Sequence, residues 1–208
     1  MNSEKAFGHL LMWDNTKRYG RLTSVSELKE DYYDIYEDLE DSPTTDLLCK
    51  IRHDLVSRYC AGLDILDFGI GNGAFIERDP FLRGILGFDV DVKSIALLKR
   101  TGLWKDFYDL DSINPEVITF WDSLEHLPNI DEVLSLCPKF VVCSLPIFYE
   151  RAEVFASKHF KPNEHIWYFS PTGLIEFMRE RGFMCHWHGD LEGLAGRQGI
   201  FSFVFERK

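Results

Sequence analysis

Residues 63 to 75 read LDILDFGIGNGAF: an apolar run of strand length that passes through Asp67 into glycines at positions 69, 71 and 73. An apolar run of this kind belongs to a strand covered on both faces, as in a parallel sheet. Glycine directly behind a strand lets the backbone approach a ligand with no side chain in the way. The helix expected next would present unpaired N–H groups at its start. Together these features predict an open α/β sheet with a ligand outside the carboxyl ends of its strands.

The remainder of the chain alternates in the way that architecture requires. TTDLLCKIRHDLVSRYC places Leu47, Leu48, Ile51, Leu55, Val56 and Tyr59 on one helical stripe, with His53 off it as a surface imidazole. Ile85 to Phe88, Val117 to Phe120 and Phe140 to Cys143 are further buried strands. Asp91 is placed to cap a helix through Ser94, Ile95, Leu97 and Leu98, and Ser170-Pro171 to start another that Gly182 ends. FMCHWH and IFSFVFE close the chain as strands with no helix between them, which predicts a hairpin edge. Residues 44 to 208 are therefore expected to form one doubly wound α/β domain of Rossmann-like type. Residues 1 to 43 differ. SELKEDYYDIYEDLEDSP is acidic, with Leu28, Tyr32, Ile35, Tyr36 and Leu39 at helical spacing, and predicts an N-terminal helical extension that either rests on the domain or forms a lid.

Spacing narrows the ligand. Asp89 ends the strand after the glycines, about 20 positions on, where an acidic side chain can hold both hydroxyls of a ribose. Gly69-x-Gly71-x-x-Ala74 also fits a permissive dinucleotide pattern, so an NAD-dependent oxidoreductase stands as an alternative, as does a non-catalytic cofactor-binding or partner-binding module on the same fold. Against it, Asp67 occupies a position usually apolar in dinucleotide folds, and the third glycine is Gly73. Asp79-Pro80 also cuts the following helix to a turn or two. A nucleoside without a phosphate bridge fits better.

Charge and cysteine content bound the partners. The 208 residues carry a formal net charge of -11, with no block of consecutive lysines or arginines, which disfavours direct binding of nucleic acid. Cys49, Cys60, Cys137, Cys143 and Cys185 are scattered and form no C-x-x-C pair, as expected of reduced thiols in a cytoplasmic protein. Neither a signal peptide nor an apolar run of about 18 residues is present, so no membrane association is expected.

LDFGIGNG followed by GFDVD resembles the first two motifs of the class I S-adenosylmethionine-dependent methyltransferases. ITFWDSLEHLPN at 118 to 129 is similar to the segment after the fourth strand in a subgroup with Glu-His there, and FKPNEHIWYFSPTGLIEFMRERGF to its late segment. The likeness spans about residues 60 to 208. It implies a seven-stranded sheet with an antiparallel last strand, S-adenosylmethionine as cofactor and S-adenosylhomocysteine as product. It further implies that Gly69, Ile70 and Gly71 pass beneath the methionine part while Asp67 supports their loop. Asp89 would bind the ribose, and Val90 would pack on the adenine. Asp109 with Leu110, or else Asp111, would lie near the adenine amino group, and Trp121 and Asp122 would face the methionine amine.

The sulfonium is already activated, so the enzyme has mainly to align an acceptor and exclude water. For a hydroxyl or protonated amine of a small or medium substrate, a base within reach is useful. His126, His159 and His165 all lie in loops expected at the ligand end, with His126 and His165 the catalytic candidates. Asp122-x-x-Glu125-His126 is similar to the E-x-x-E-H of ubiquinone-pathway and small-RNA O-methyltransferases, where these residues hold a cation. With aspartate first and no further ligand evident, a divalent metal is not the favoured reading here. Leu145-Pro146 departs from the Asn/Asp/Ser-Pro-Pro-aromatic motif of DNA amine methylases, so DNA base methylation is not expected.

Overall fold

The computed structural model describes residues 2–6, 9–23, 42–81, 84–105, 112, 114–136 and 138–208. The chain opens with three antiparallel strands, β1 (Asn2–Ala6), β2 (His9–Asp14) and β3 (Tyr19–Leu22). This corrects the expectation of a purely helical extension for its first half. Leu11, Trp13 and Leu22 alternate with more exposed neighbours, as a half-buried meander requires. The helix expected between Leu28 and Leu39 lies outside the described residues.

Helix α1 (Pro43–Cys60) begins where Ser42 accepts from Thr45 N and proline takes the first turn. Its buried face is Cys49, His53, Leu55, Val56 and Cys60, rotated from the expected stripe, and Leu47 is exposed. His53 is thus a core residue and not a surface one: it stacks on Phe75 with ring centroids 4.2 Å apart.

Next come β4 (Ile65–Phe68), the single turn α2 (Ala74–Glu77), β5 (Leu86–Phe88), α3 (Val92–Thr101) and β6 (Val117–Trp121). They are followed by α4 (Ile130–Leu134), β7 (Phe140–Pro146), α5 (Arg151–Ala156), β8 (Trp167–Phe169) and α6 (Pro171–Arg179). The hairpin β9 (Phe183–Gly189) and β10 (Ile200–Arg207) closes the chain. The main sheet has the order β5-β4-β6-β7-β10-β9, with β10 antiparallel to both neighbours. Among the described residues six strands stand where seven were expected, and Trp104 forms an isolated parallel bridge with Gly87 of the edge strand β5.

Every residue of β4, β6 and β7 is buried, because helices cover both faces of the sheet. Phe120, Leu145, Phe177 and Phe203 belong to the core on one face, and Leu55, Val56, Phe75 and Val142 to the core on the other. Among the described residues, no helix is long and apolar enough to cross a membrane.

A second sheet, β1-β2-β3-β8, stands over the ligand end of the first. Its apolar side, with Leu11, Trp13 and Tyr168, packs on Phe148 and Val154, just beyond β7. The Arg18 carbonyl accepts from Ser170 N at 3.0 Å, and a Cβ at Gly173 would lie 2.1 Å from that oxygen. Gly173→Ala should therefore push the meander off α6. We expect a loss of about 1–3 kcal/mol of stability and faster hydrogen exchange at Leu22 N, which donates to Ile166 O. Unchanged exchange in a variant of unchanged stability would show that this contact does not hold the two sheets together.

Candidate active site

The site is built where β4, β5 and β6 end. Gly69, Gly71 and Gly73 all have positive φ, between 56° and 86°. At Gly69 the need is also steric: a Cβ would lie 2.6 Å from Ser123 Cβ, where the loop after β6 crosses. At Gly71 nothing among the described residues lies within 4 Å of the position a Cβ would take, so they leave the space above the loop open. Ser123 Oγ donates to Phe68 O and Ser94 Oγ to Gly71 O, pinning the loop from both sides. Asp79-Pro80 does stop α2 after one turn, as expected.

Asp89 is buried and clamps the glycine loop. Its Oδ2 accepts from Gly71 N at 3.0 Å, and its Oδ1 from Val90 N and Asp91 N at 2.7 and 2.8 Å. A carboxylate has about four acceptor sites, which leaves room for a ligand hydroxyl beside these three bonds. Burial raises its pKa, and the three backbone donors act in the opposite sense. Val90 projects outward and is 72% exposed, an apolar face available at the loop's edge. Ile70 is buried beneath the loop. Asp109, Leu110 and Asp111 lie outside the described residues.

Asp67 is buried below the loop, where Thr119 Oγ1 donates to its Oδ1 at 2.6 Å. Burial pushes its pKa up to about 7, against the lowering effect of that hydroxyl and of Arg52.

Trp121 and Asp122 diverge. The Trp121 ring is buried among core residues, 5.2 Å from Phe75 by centroids, with the Arg52 guanidinium 4.9 Å above it. Its indole thus lies directly beneath the guanidinium that also bonds Asp122. Asp122 does reach the ligand end, in a left-handed backbone conformation with φ 57°. Its carboxylate accepts from Arg52 Nη2 at 3.1 Å and from both Nη atoms of Arg197 at 2.8 and 2.9 Å. Glu192, fully buried, accepts from Arg52 Nε at 2.8 Å and from Arg197 Nη1. Burial works to raise the Asp122 pKa, but the two guanidiniums outweigh it and hold it at about 2. Arg52, Glu192 and Arg197 were not identified from sequence. Arg52 sits on the polar side of an amphipathic pattern, and the two others lie in GDLEGLAGRQG, which reads only as a connection.

Glu125, His126 and His165 form a second cluster, with one ligand atom of each within 4.8 Å of the others. A 3-10 turn at Leu124–His126 holds the first two, and Ile166 N donates to Glu125 O at 2.8 Å, which brings His165 alongside. The imidazoles meet edge to face, 4.8 Å between centroids. His159 lies apart, its Nε2 3.2 Å from Gln198 O. Among the described residues neither Glu125 carboxylate oxygen has a hydrogen-bond partner, and burial, reinforced by Asp122, raises its pKa well above the ordinary value. Burial lowers the pKa of His126 and lowers that of His165 further, so both imidazoles are neutral near pH 7. One carboxylate and two neutral imidazoles are a donor set that fits a divalent cation. The arrangement differs from the one expected: Asp122 turns to the arginines, and His165 stands in its place.

An open sheet with an antiparallel strand inserted near its edge, a glycine loop and an acidic residue ending the second strand define a doubly wound α/β fold of nucleoside-binding type. Residues 41–186 match the family described as "Methyltransferase domain", and the chain belongs to it, within the class I S-adenosylmethionine-dependent methyltransferases. No curated protein sequence matches. Among solved structures, an S-adenosylmethionine-dependent methyltransferase from Archaeoglobus fulgidus is 17% identical, with a TM-score of 0.58 over 85% of this chain and all of that one. The Burkholderia thailandensis 1,6-didemethyltoxoflavin-N1-methyltransferase, with its substrate and S-adenosylhomocysteine bound, is 12% identical, with a TM-score of 0.57 over the whole of both chains. The [4+2]-cyclase SpnF is 15% identical, with a TM-score of 0.55 over 89% of this chain and 97% of that one. These likenesses establish the fold, and the cyclase shows that the fold alone does not dictate the reaction.

Asp67 supplies a measurable consequence. Its folded pKa lies above its unfolded value of 3.8. Between pH 4 and 7 the unfolded chain loses this proton while the folded one keeps it, so stability falls as pH rises and levels off above about 7. Asp67→Asn retains an acceptor for Thr119 and removes the titration. We expect the variant to melt above the wild type at pH 8, with the difference vanishing toward pH 4. A constant offset across that range would place the Asp67 pKa near its ordinary value.

Proposed function

We propose that this protein transfers the methyl group of S-adenosylmethionine to an oxygen or nitrogen of a small or medium acceptor. The observation that carries the reading is the open space over Gly71 beside the partly unused Asp89 carboxylate, at the carboxyl ends of β4 and β5. Asp89 holds the ribose hydroxyls, Val90 covers one side of the adenine, and the loop from Gly69 through Ile70 to Gly71 runs beneath the methionine part. Asp122 meets the ammonium group of that part.

Bound there, S-adenosylmethionine would supply an activated methyl group to an acceptor lone pair in line with its carbon–sulfur bond and would leave as the neutral thioether S-adenosylhomocysteine. The acceptor proton would pass to an imidazole nitrogen. His126 is the better placed base because it is part-exposed, whereas His165 is buried behind it. His165 holds the His126 ring by its edge-to-face contact, and the buried Glu125 helps exclude water beside it. Glu125, His126 and His165 are also the residues that would hold a divalent cation, which would supply orientation of an acceptor oxygen. The acidic surface and the absence of a long basic run favour a small acceptor over nucleic acid.

S-adenosylhomocysteine at 100 times its Kd should stabilise the native state by about 2.7 kcal/mol, read as a higher melting temperature, and NAD at the same concentration should not. Equal stabilisation by NAD would restore the dinucleotide reading.

His126→Ala should fold and keep its S-adenosylhomocysteine affinity while losing transfer of labelled methyl groups to a cell extract. If His126 is a base without a cation, chelator leaves wild-type transfer unchanged. Transfer lost on chelation and restored by magnesium or manganese, with metal-dependent melting of the wild type only, would assign the cluster to a cation.

A further inference from the structure

We propose that Glu192, in the connection between β9 and β10, is a positioning residue for the amino-acid end of the cofactor, acting through Arg52 and Arg197. The inference rests on the cofactor reading above and adds to it a residue from a part of the chain outside the glycine loop and the strand ends.

Three separate segments meet at Glu192. Arg52 comes from α1, Asp122 from the end of β6, and Arg197 from the same connection as Glu192 itself. Glu192 Oε1 accepts from Arg52 Nε at 2.8 Å and Oε2 from Arg52 Nη2 at 3.2 Å, a two-point grip that sets the plane of that guanidinium. The same plane lies over the Trp121 ring. Arg197 Nη1 is shared between Glu192 and Asp122, and Arg197 Nη2 completes the fork on Asp122. Glu192 therefore determines where both guanidiniums present themselves to the Asp122 carboxylate.

The charges show why this matters for a ligand. The four side chains carry two positive and two negative charges, so the cluster is neutral as a whole. The amino-acid end of the cofactor is itself a zwitterion, with one ammonium and one carboxylate. A neutral cluster offering both a carboxylate and guanidinium N–H groups accepts such a group without net repulsion. Without the Glu192 charge the cluster would hold two cations against one anion. Asp122 would then be drawn wholly to the arginines, and an incoming ammonium would meet excess positive charge in a poorly solvated place.

The experiment compares two ligands that differ only at this end. S-adenosylhomocysteine carries the ammonium and carboxylate, whereas 5′-methylthioadenosine has the same nucleoside and sulfur without them. Calorimetric titration of wild type and Glu192→Gln with each ligand is the test. We expect S-adenosylhomocysteine to bind the variant about tenfold more weakly, as loss of a charge-assisted contact requires, with methylthioadenosine changed less than about twofold. Unchanged S-adenosylhomocysteine affinity, or equal weakening of both ligands, overturns the proposal. If Glu192→Gln does not fold, Glu192→Asp keeps the buried charge but draws the carboxylate back from both guanidiniums, and the same selective loss is expected. Failure of wild type to bind either ligand would instead overturn the cofactor reading.

Discussion

Strands covered on both faces leave no room for charge along their length, so ionised side chains must gather at their ends and find partners there. β4, β6 and β7 are buried at every residue. The side chains at their carboxyl ends are Asp67, Asp122 and Ser144, with Asp89 beside them after β5. Each is handled differently. Asp67 is tied to a hydroxyl and kept near neutrality by burial, Asp89 by three backbone N–H groups, and Asp122 by two guanidiniums. An isolated buried charge costs several kcal/mol, so these pairings are conditions for the sheet to exist with a polar ligand end. The same groups are the ones proposed above to meet a nucleoside with an amino-acid tail.

Glu125 is the exception. It is buried with neither oxygen hydrogen-bonded among the described residues, beside two imidazoles whose own charge is suppressed. Its position traces to the amino-terminal meander. Leu22 N donates to Ile166 O, and Ile166 N donates to Glu125 O, so β3 carries the His165 segment onto the turn at Leu124–His126. The second sheet thus does more than cover the end of the first. It decides which imidazole stands next to His126.

Helix α1 shows how one element escapes a pattern reading. Leu47, Leu48 and Ile51 drew the expected stripe, but Cys49, His53, Val56 and Cys60 also repeat at helical spacing and form the buried face with Leu55. The rotation puts His53 against Phe75 and leaves Arg52 within reach of Asp122 and Glu192. Hydropathy cannot choose between two such faces, since the choice depends on what the sheet presents to each. Trp121 and Asp122 separate for a related reason: adjacent residues at a strand end point oppositely, so the indole packs against Phe75 while the Asp122 carboxylate meets Arg52 and Arg197.

By itself the sequence determined the parallel sheet, its terminal hairpin, the glycine loop, the acidic residue after the second strand and the family. All of these rest on local periodicity or on spacing within a few tens of residues, where the backbone leaves few alternatives. Only the tertiary structure decided that residues 2–6 and 9–22 form a meander, that His165 joins Glu125 and His126, and that Arg52, Glu192 and Arg197 close around Asp122. Those partners are separated by up to 140 positions, as between Arg52 and Glu192. Attraction between charged or polar side chains carries no sequence period, and it acts only once packing of the sheet and helices has brought them together.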